Sequence, residues 1–332
     1  MLKRRTFGIL PDGTEIDVIS LGHASGLEMN VLTYGCIITS LSVPGTNGPA
    51  ANIVLGFDRL EPYLSSSPYF GAVVGRYANR IAHARFVIDG REHRVSPNEP
   101  PHHLHGGFKG FDKRVWDAEA SGNGTAVIFR RRSPDGEEGY PGTLDAQVTY
   151  TLADRELRIR YQAVADAPTH VNLMQHSYFN LRGNGDVLSH CLAINASTYL
   201  PVDEGLIPTG EFAPVANTPF DFQEPIAIGS RLRTDHAQLT RVGGYDHTFS
   251  INGAGAALAL AARVLEPSSG RTLELHTTEP GLQFYSGQVV DFRAFCLEPQ
   301  HYPDSPNRPE FPSTLLRPGE RYESSTMYAF GW

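Results

Sequence analysis

Cysteine is scarce: Cys36, Cys191 and Cys296 are an odd number, widely spaced, with no CxxC pairing among 332 residues. That pattern excludes a disulfide framework and a thiolate zinc site, and it points to a reducing, cytoplasmic compartment. Basic excess is also missing. With 28 basic against 36 acidic residues the net charge is −8, which argues against a nucleic-acid partner or an anionic membrane. Arg130, Arg131 and Arg132 form the one compact basic run, and three guanidiniums read as a solvated strand end. No stretch approaches the ~18 apolar residues of a membrane span. Lys3, Arg4 and Arg5 are followed by Pro11, Asp12, Glu15 and Asp17, so no apolar signal core is expected.

What the chain has in quantity is punctuation, with 33 glycines and 24 prolines spread along its length. A chain interrupted so often has little room for long helices, and turn-rich β structure fits better. Phe86 and Ile88 alternate into Asp89-Gly90, which predicts a hairpin. Val148, Tyr150 and Leu152 alternate in the same way, a short Ala-Asp-Arg turn follows, and Leu157, Ile159 and Tyr161 resume the alternation on the return strand. Residues 31–43, 256–264 and 272–276 add β-like segments, although the Ala-rich run at 256–262 has helix propensity as well. No repeat, low-complexity block or linker divides the chain, so a single domain over 1–332 is expected. The expected architecture is all-β, a large antiparallel β-sandwich with its chemistry on loops between strands.

Several polar clusters interrupt the apolar pattern. Arg76, Asn79 and Arg80 lie within five positions, and forked guanidinium and amide donors suit a polyhydroxylated ligand, though an Arg paired with a carboxylate in a loop accounts for them equally simply. The run NEPPHHLHGG at 98–107 holds three histidines in four positions. His102, His103 and His105 have no evident carboxylate or thiolate partner nearby, so no metal is expected there. The glycine pair after His105 implies a special backbone or a close ligand approach. His176 stands in a polar stretch bounded by apolar residues, where it serves either as a proton donor or as a satisfied structural histidine. Asp246 and Gln283 sit among aromatics, a common way to hold a sugar ring. Glu298 follows apolar residues at an expected strand end, where a shielded carboxylate could act as a general base.

Taken in order, these segments resemble the galactose mutarotase (aldose 1-epimerase) family over nearly the whole chain. The resemblance rests on ANIVLGF at 51–57, GAVVGRYANRI at 71–81, LHGGFKGFDKRVW at 104–116 and SPDGEEGYPG at 133–142. It continues through NLMQHSYFNL at 172–181, YDHTF at 245–249, PGLQFYSG at 280–287 and CLEPQHYPDSPN at 296–307. It implies a galactose mutarotase-like supersandwich with a cleft on one face. Glu298 falls on the family's general base and His176 on its general acid. His105, Asp246, Arg80 and Gln283 match positions that hold or polarise the sugar, and Asn79 lies where a further hydroxyl contact is made. The implied substrate is a free aldose such as D-galactose or D-glucose, opened and reclosed without a cofactor or metal by an acid and a base facing opposite ends of the hemiacetal. A non-catalytic sugar-binding or sensing protein is the alternative. One departure stands out: the family usually has Asn and a small residue ahead of Leu-His-Gly-Gly, where this chain has His102 and His103. Neither the oligomeric state nor the preferred aldose is legible.

Overall fold

The computed structural model describes residues 2–45, 48–65, 67–121, 124–255 and 257–332. Strands dominate, and the two α-helices among these residues, Glu61–Ser65 and Ala237–Val242, are short. Three large sheets carry the architecture. A nine-stranded sheet runs in the order Asp117–Ala120, Ala126–Ser133, Leu144–Ala153, Glu156–Ala165, Tyr322–Gly331, Thr272–Thr277, Ala259–Leu265, Cys191–Ile194 and Ile226–Ala227, antiparallel throughout. A six-stranded antiparallel sheet holds Tyr178–Phe179, Phe295–Gln300, Gly281–Tyr285, Asp246–Ile251, Ala196–Leu200 and Ala213–Pro214. A five-stranded sheet is built from Lys3–Ile9 to Ala51–Asn52.

The alternation legible in sequence is what packs these layers. On Leu144–Ala153 and Glu156–Ala165, paired from Leu144↔Ala165 to Ala153↔Glu156, the residues Val148, Tyr150, Leu152, Leu157, Ile159 and Tyr161 all point inward. They share one core with Val31 and Leu41 of the five-stranded sheet and with Phe249, Leu282, Phe284, Phe295 and Leu297 of the six-stranded sheet. The hairpin at Asp89-Gly90 forms between Arg85–Ile88 and Arg91–Arg94. In the Ala-rich run, Ala259–Leu265 is a strand, its alternate side chains buried between layers, so packing overrides the helix propensity of alanine. Ala256 lies outside the described residues. No helix among the described residues is long and apolar enough to cross a membrane.

The six-stranded sheet is covered on both faces along its central strands. Because strand side chains alternate, sending Phe249, Leu282, Phe284, Phe295 and Leu297 to the core obliges Asp246, Thr248, Gln283, Cys296 and Glu298 to line the opposite face. Register then brings them side by side, with Gln283 opposite both Glu298 and Thr248.

Candidate active site

The polar face of the six-stranded sheet is the floor of the site, so its chemistry comes from strands more than from the loops expected. Glu298 is the fourth of six residues in Phe295–Gln300, mid-strand where a strand end was expected, and nearly inaccessible. Its neighbour across the register, Gln283, donates from Nε2 to Asp246 Oδ1 at 2.6 Å and accepts the Thr248 hydroxyl on Oε1, which fixes the amide orientation. His176 ends the strand Met174–His176, paired with Ala72–Val74. It points Nε2 at Glu298 Oε1, 3.7 Å away.

A second group of residues forms the wall. The strand Arg80–Ile81 pairs with His103–Leu104, which sets His105 beside Asn79. The Asn79 amide N–H donates to His105 Nδ1 at 3.1 Å, and the Asn79 carbonyl accepts from the His105 amide. Arg80 is gripped by Glu99 in a fork, Nε to Oε2 at 2.6 Å and Nη2 to Oε1 at 3.0 Å. Tyr69 packs edge-on against His105, with ring centroids 4.7 Å apart, and lies nearly parallel to His176. Tyr69, Asn79 and His105 all adopt left-handed backbone, with φ of 63°, 65° and 51°. Such conformations cost of order 1 kcal/mol or more for a residue with a side chain, and they gather where surrounding structure fixes a functional geometry.

The charges are arranged unevenly. Burial raises Glu298 well above the usual carboxylate range, Asp246 pushes in the same direction, and Arg80 opposes both. Burial also raises Asp246, against the pull of Arg80 and the Gln283 amide. Burial works against the charge on Arg80, yet Asp246, Glu99 and Glu298 together hold it above its ordinary value. Burial lowers His176 to about 4. Burial likewise pushes His105 well down, helped by His176 and Arg80. The result is a sheltered site in which a charged guanidinium and two buried carboxyls stand near two imidazoles that burial holds toward the neutral form.

His105, His176 and Glu298 are also the one cluster of potential metal ligands among the described residues, with donor atoms within 4.8 Å of one another. The His105 tautomer does not fit a metal. Its Nδ1 lone pair is taken by the Asn79 N–H, so the neutral ring carries its hydrogen on Nε2 and has no lone pair left to give. What His105 offers instead is an N–H donor, suited to an oxygen of a ligand.

A profile of aldose 1-epimerases matches residues 17–329. The chain belongs to that family. Two curated relatives, the galactose mutarotases of Rattus norvegicus and Homo sapiens, are each 46% identical over 343 residues, spanning 98% of this chain and 98% of theirs. Among solved structures, the galactose 1-epimerase from Lactobacillus acidophilus NCFM superposes with a TM-score of 0.89 at 28% identity, covering 100% of this chain and 98% of that one. The large antiparallel β-sandwich expected from the sequence is the fold of this family member.

In this family member Arg80, His105, His176, Asp246, Gln283 and Glu298 gather in one largely buried polar cluster, and Asn79 joins it through its backbone contacts with His105 and through Oδ1, which accepts the Arg80 amide. The carboxylate pairing weighed for this cluster holds for Arg80, with Glu99, whereas among the described residues no carboxylate forms an ion pair with Arg76. Arg76 is buried and donates to the Pro134, Pro141 and Gly142 carbonyls and the Ser133 hydroxyl, clamping the 133–142 loop. The glycine pair has the special backbone expected of it, with φ of 85° and 102°, and Gly106 also serves the chain's own close approach, since a Cβ there would lie 1.8 Å from the Gly75 carbonyl oxygen. Both ring nitrogens of His103 are engaged outside the cluster, Nδ1 donating to the Ser96 carbonyl and Nε2 accepting the Tyr140 hydroxyl. His102 accepts the His83 amide on Nδ1 and abuts Gly205. Arg131 is held nearly buried by Glu137 and so is not part of a solvated strand end, unlike the exposed Arg130 and Arg132. Glu99, Tyr69 and Tyr178 were not foreseen. Glu99 stands inside the NEPPHHLHGG run, and the acidic side chain beside a proline pair was the available signal.

Proposed function

We propose that this protein, an isomerase of carbohydrates by its family, interconverts the α and β anomers of a free aldose such as D-galactose or D-glucose. Glu298 takes the O1 proton and His176 supplies one to the ring oxygen O5. The observation that carries this reading is the buried pair His176 Nε2 and Glu298 Oε1, held 3.7 Å apart. The two exchanging oxygens of a hemiacetal are bonded to the same carbon, so they lie closer together than a hydrogen-bond length. An acid and a base held this near each other can therefore each reach one of the two oxygens, the base toward O1 and the acid toward O5.

The atoms balance simply. As Glu298 removes the O1 proton, C1–O1 becomes a carbonyl, the C1–O5 bond breaks with its electrons on O5, and His176 protonates O5. The open aldehyde rotates about C1–C2, and O5 adds to the other carbonyl face while both protons return. Glu298 and His176 share one proton in total, whether as neutral acid with neutral ring or as carboxylate with imidazolium. Burial favours the neutral arrangement without a ligand, and the charged one has the same proton count. Arg80 and the N–H of His105 are placed to stabilise negative charge on oxygen as C1–O5 opens. Asn79, Asp246 and Gln283 offer the remaining donors and acceptors for ring hydroxyls.

The chain acts in this proposal as one domain over 1–332 in the cytoplasm, a location supported by three free thiols, with a small-molecule sugar and no nucleic acid as partner. A panel of fresh aldoses followed by polarimetry tests the substrate. Galactose and glucose should reach equilibrium rotation faster with protein than without. Saturable sugar binding with no acceleration for any aldose would leave a sugar-binding protein instead.

A further inference from the structure

On the reading above, His176 exchanges its proton through Nε2, the nitrogen that faces Glu298. A ring that works through Nε2 must keep hydrogen on Nδ1 throughout: the imidazolium carries both, and the neutral ring that has given up the Nε2 proton carries only the other. Nδ1 therefore needs an acceptor. The side-chain atom at that nitrogen is Cys296 Sγ, 3.7 Å away, within the longer reach of a sulfur hydrogen bond. We propose that Cys296 is a positioning residue whose sulfur accepts the Nδ1–H of His176, fixing the tautomer that turns Nε2 toward Glu298 and the sugar.

The strand geometry supports this assignment. Cys296 and Glu298 are two residues apart on Phe295–Gln300, so they share a face, and one strand addresses both nitrogens of the same ring. Tyr178 pairs directly with Cys296 across the sheet, and its ring lies 13° from parallel to His176 with centroids 5.1 Å apart. Tyr69 lies 17° from parallel at 5.8 Å. The two tyrosines hold the ring's plane, and the sulfur sets its direction within that plane.

The choice of sulfur has a chemical consequence. A carboxylate at Nδ1 would stabilise the imidazolium and make His176 a weaker acid. A thiol is a weak, uncharged acceptor. Burial, with Glu298 and Asp246, keeps Cys296 protonated, while the Tyr178 hydroxyl pulls modestly the other way. His176 is thereby oriented without a charged partner that would make it more basic, and burial, opposed by a hydrogen bond to its own main chain, holds it at about 4, an effective donor to an oxygen whose bond to carbon is breaking.

Nitrogen-15 spectra of histidine-labelled protein, with His176 assigned by loss of its signals in His176→Gln, read the tautomer directly. The unmodified protein should show Nδ1 protonated. In Cys296→Ala the neutral Nε2–H form should appear, with kcat falling roughly fivefold, the rate equivalent of one neutral hydrogen bond, and KM nearly unchanged. Cys296→Ser keeps an acceptor and should fall between the two. A neutral Nε2–H ring in the unmodified protein overturns the proposal with no variant needed, and so does Cys296→Ala with unaltered spectra and kcat. Full activity in His176→Gln would instead remove the proton-donor role of His176, a distinct failure.

Discussion

Replacing His103 with glutamine should flatten the acid side of the stability profile by a calculable amount. His103 is fully buried, and burial lowers it to about 4 from an ordinary 6.5, against the opposing pull of the Ser96 carbonyl and Glu138. In the folded state its Nε2 is an acceptor for the Tyr140 hydroxyl at 2.7 Å, so protonation there breaks a buried hydrogen bond. Between pH 6.5 and 4 the unfolded chain therefore binds a proton that the folded chain refuses. A depressed histidine of this kind leaves stability intact above 6.5 and removes it as pH falls. Integrated from pH 7 to pH 5, this single group costs the folded state about 2 kcal/mol. Every other titrating group is common to both proteins and cancels in the comparison. Urea unfolding at pH 7 and pH 5 should then show wild type losing about 2 kcal/mol more than His103→Gln over that interval. Glutamine can still donate to Ser96 and accept from Tyr140, so the variant should fold. Parallel stability curves for the two proteins would refute the assignment of His103 as a neutral structural residue.

Other substitutions test the wall and the floor of the cleft. Glu99→Gln removes one charge from the fork on Arg80. Since Glu99 is 39% exposed and partly screened, kcat/KM for galactose or glucose should drop by about fivefold, and an unchanged value would show that Arg80 needs no such hold. Gly106→Ala forces a Cβ against the Gly75 carbonyl at a φ of 85°; a loss of about 3 kcal/mol or more is expected in urea unfolding. Thr248→Val deletes the hydroxyl that orients the Gln283 amide. It should raise KM several-fold, by about the value of one hydrogen bond, and leave kcat nearly alone; a fall in kcat at constant KM would contradict a binding role for Gln283.

Much of this site was readable before any coordinates because its residues sit in short, chemically unusual runs. Glu298 within CLEPQ, His176 within MQHSY and Asp246 within YDHTF are polar residues at positions where a covered strand would otherwise be apolar. Their union on one face was less legible. It depends on sheet register, and Gln283 meets Glu298 and Thr248 only because three strands pair in a particular alignment. Glu99 and Tyr69 were hard to single out for a related reason. Glu99 acts through Arg80 and Tyr69 through His105 and His176, all distant in sequence, and neither residue type is unusual in a turn. The histidines at 102 and 103 show the converse. His103 is hydrogen-bonded to Ser96 and Tyr140, and its place two positions before His105 says nothing about that, because the strand His103–Leu104 ends there and the left-handed backbone of His105, with φ of 51°, breaks the alternation that would have put both on one face.

The most direct measurement of the acid–base pair is exchange between the two anomeric protons of D-galactose or D-glucose at equilibrium, followed by NMR with wild type, Glu298→Gln and His176→Gln. Wild type should accelerate the exchange, and each variant should lose at least ~100-fold in rate, the low end for a positioned acid or base, while still binding the sugar. Undiminished exchange in Glu298→Gln would contradict the account.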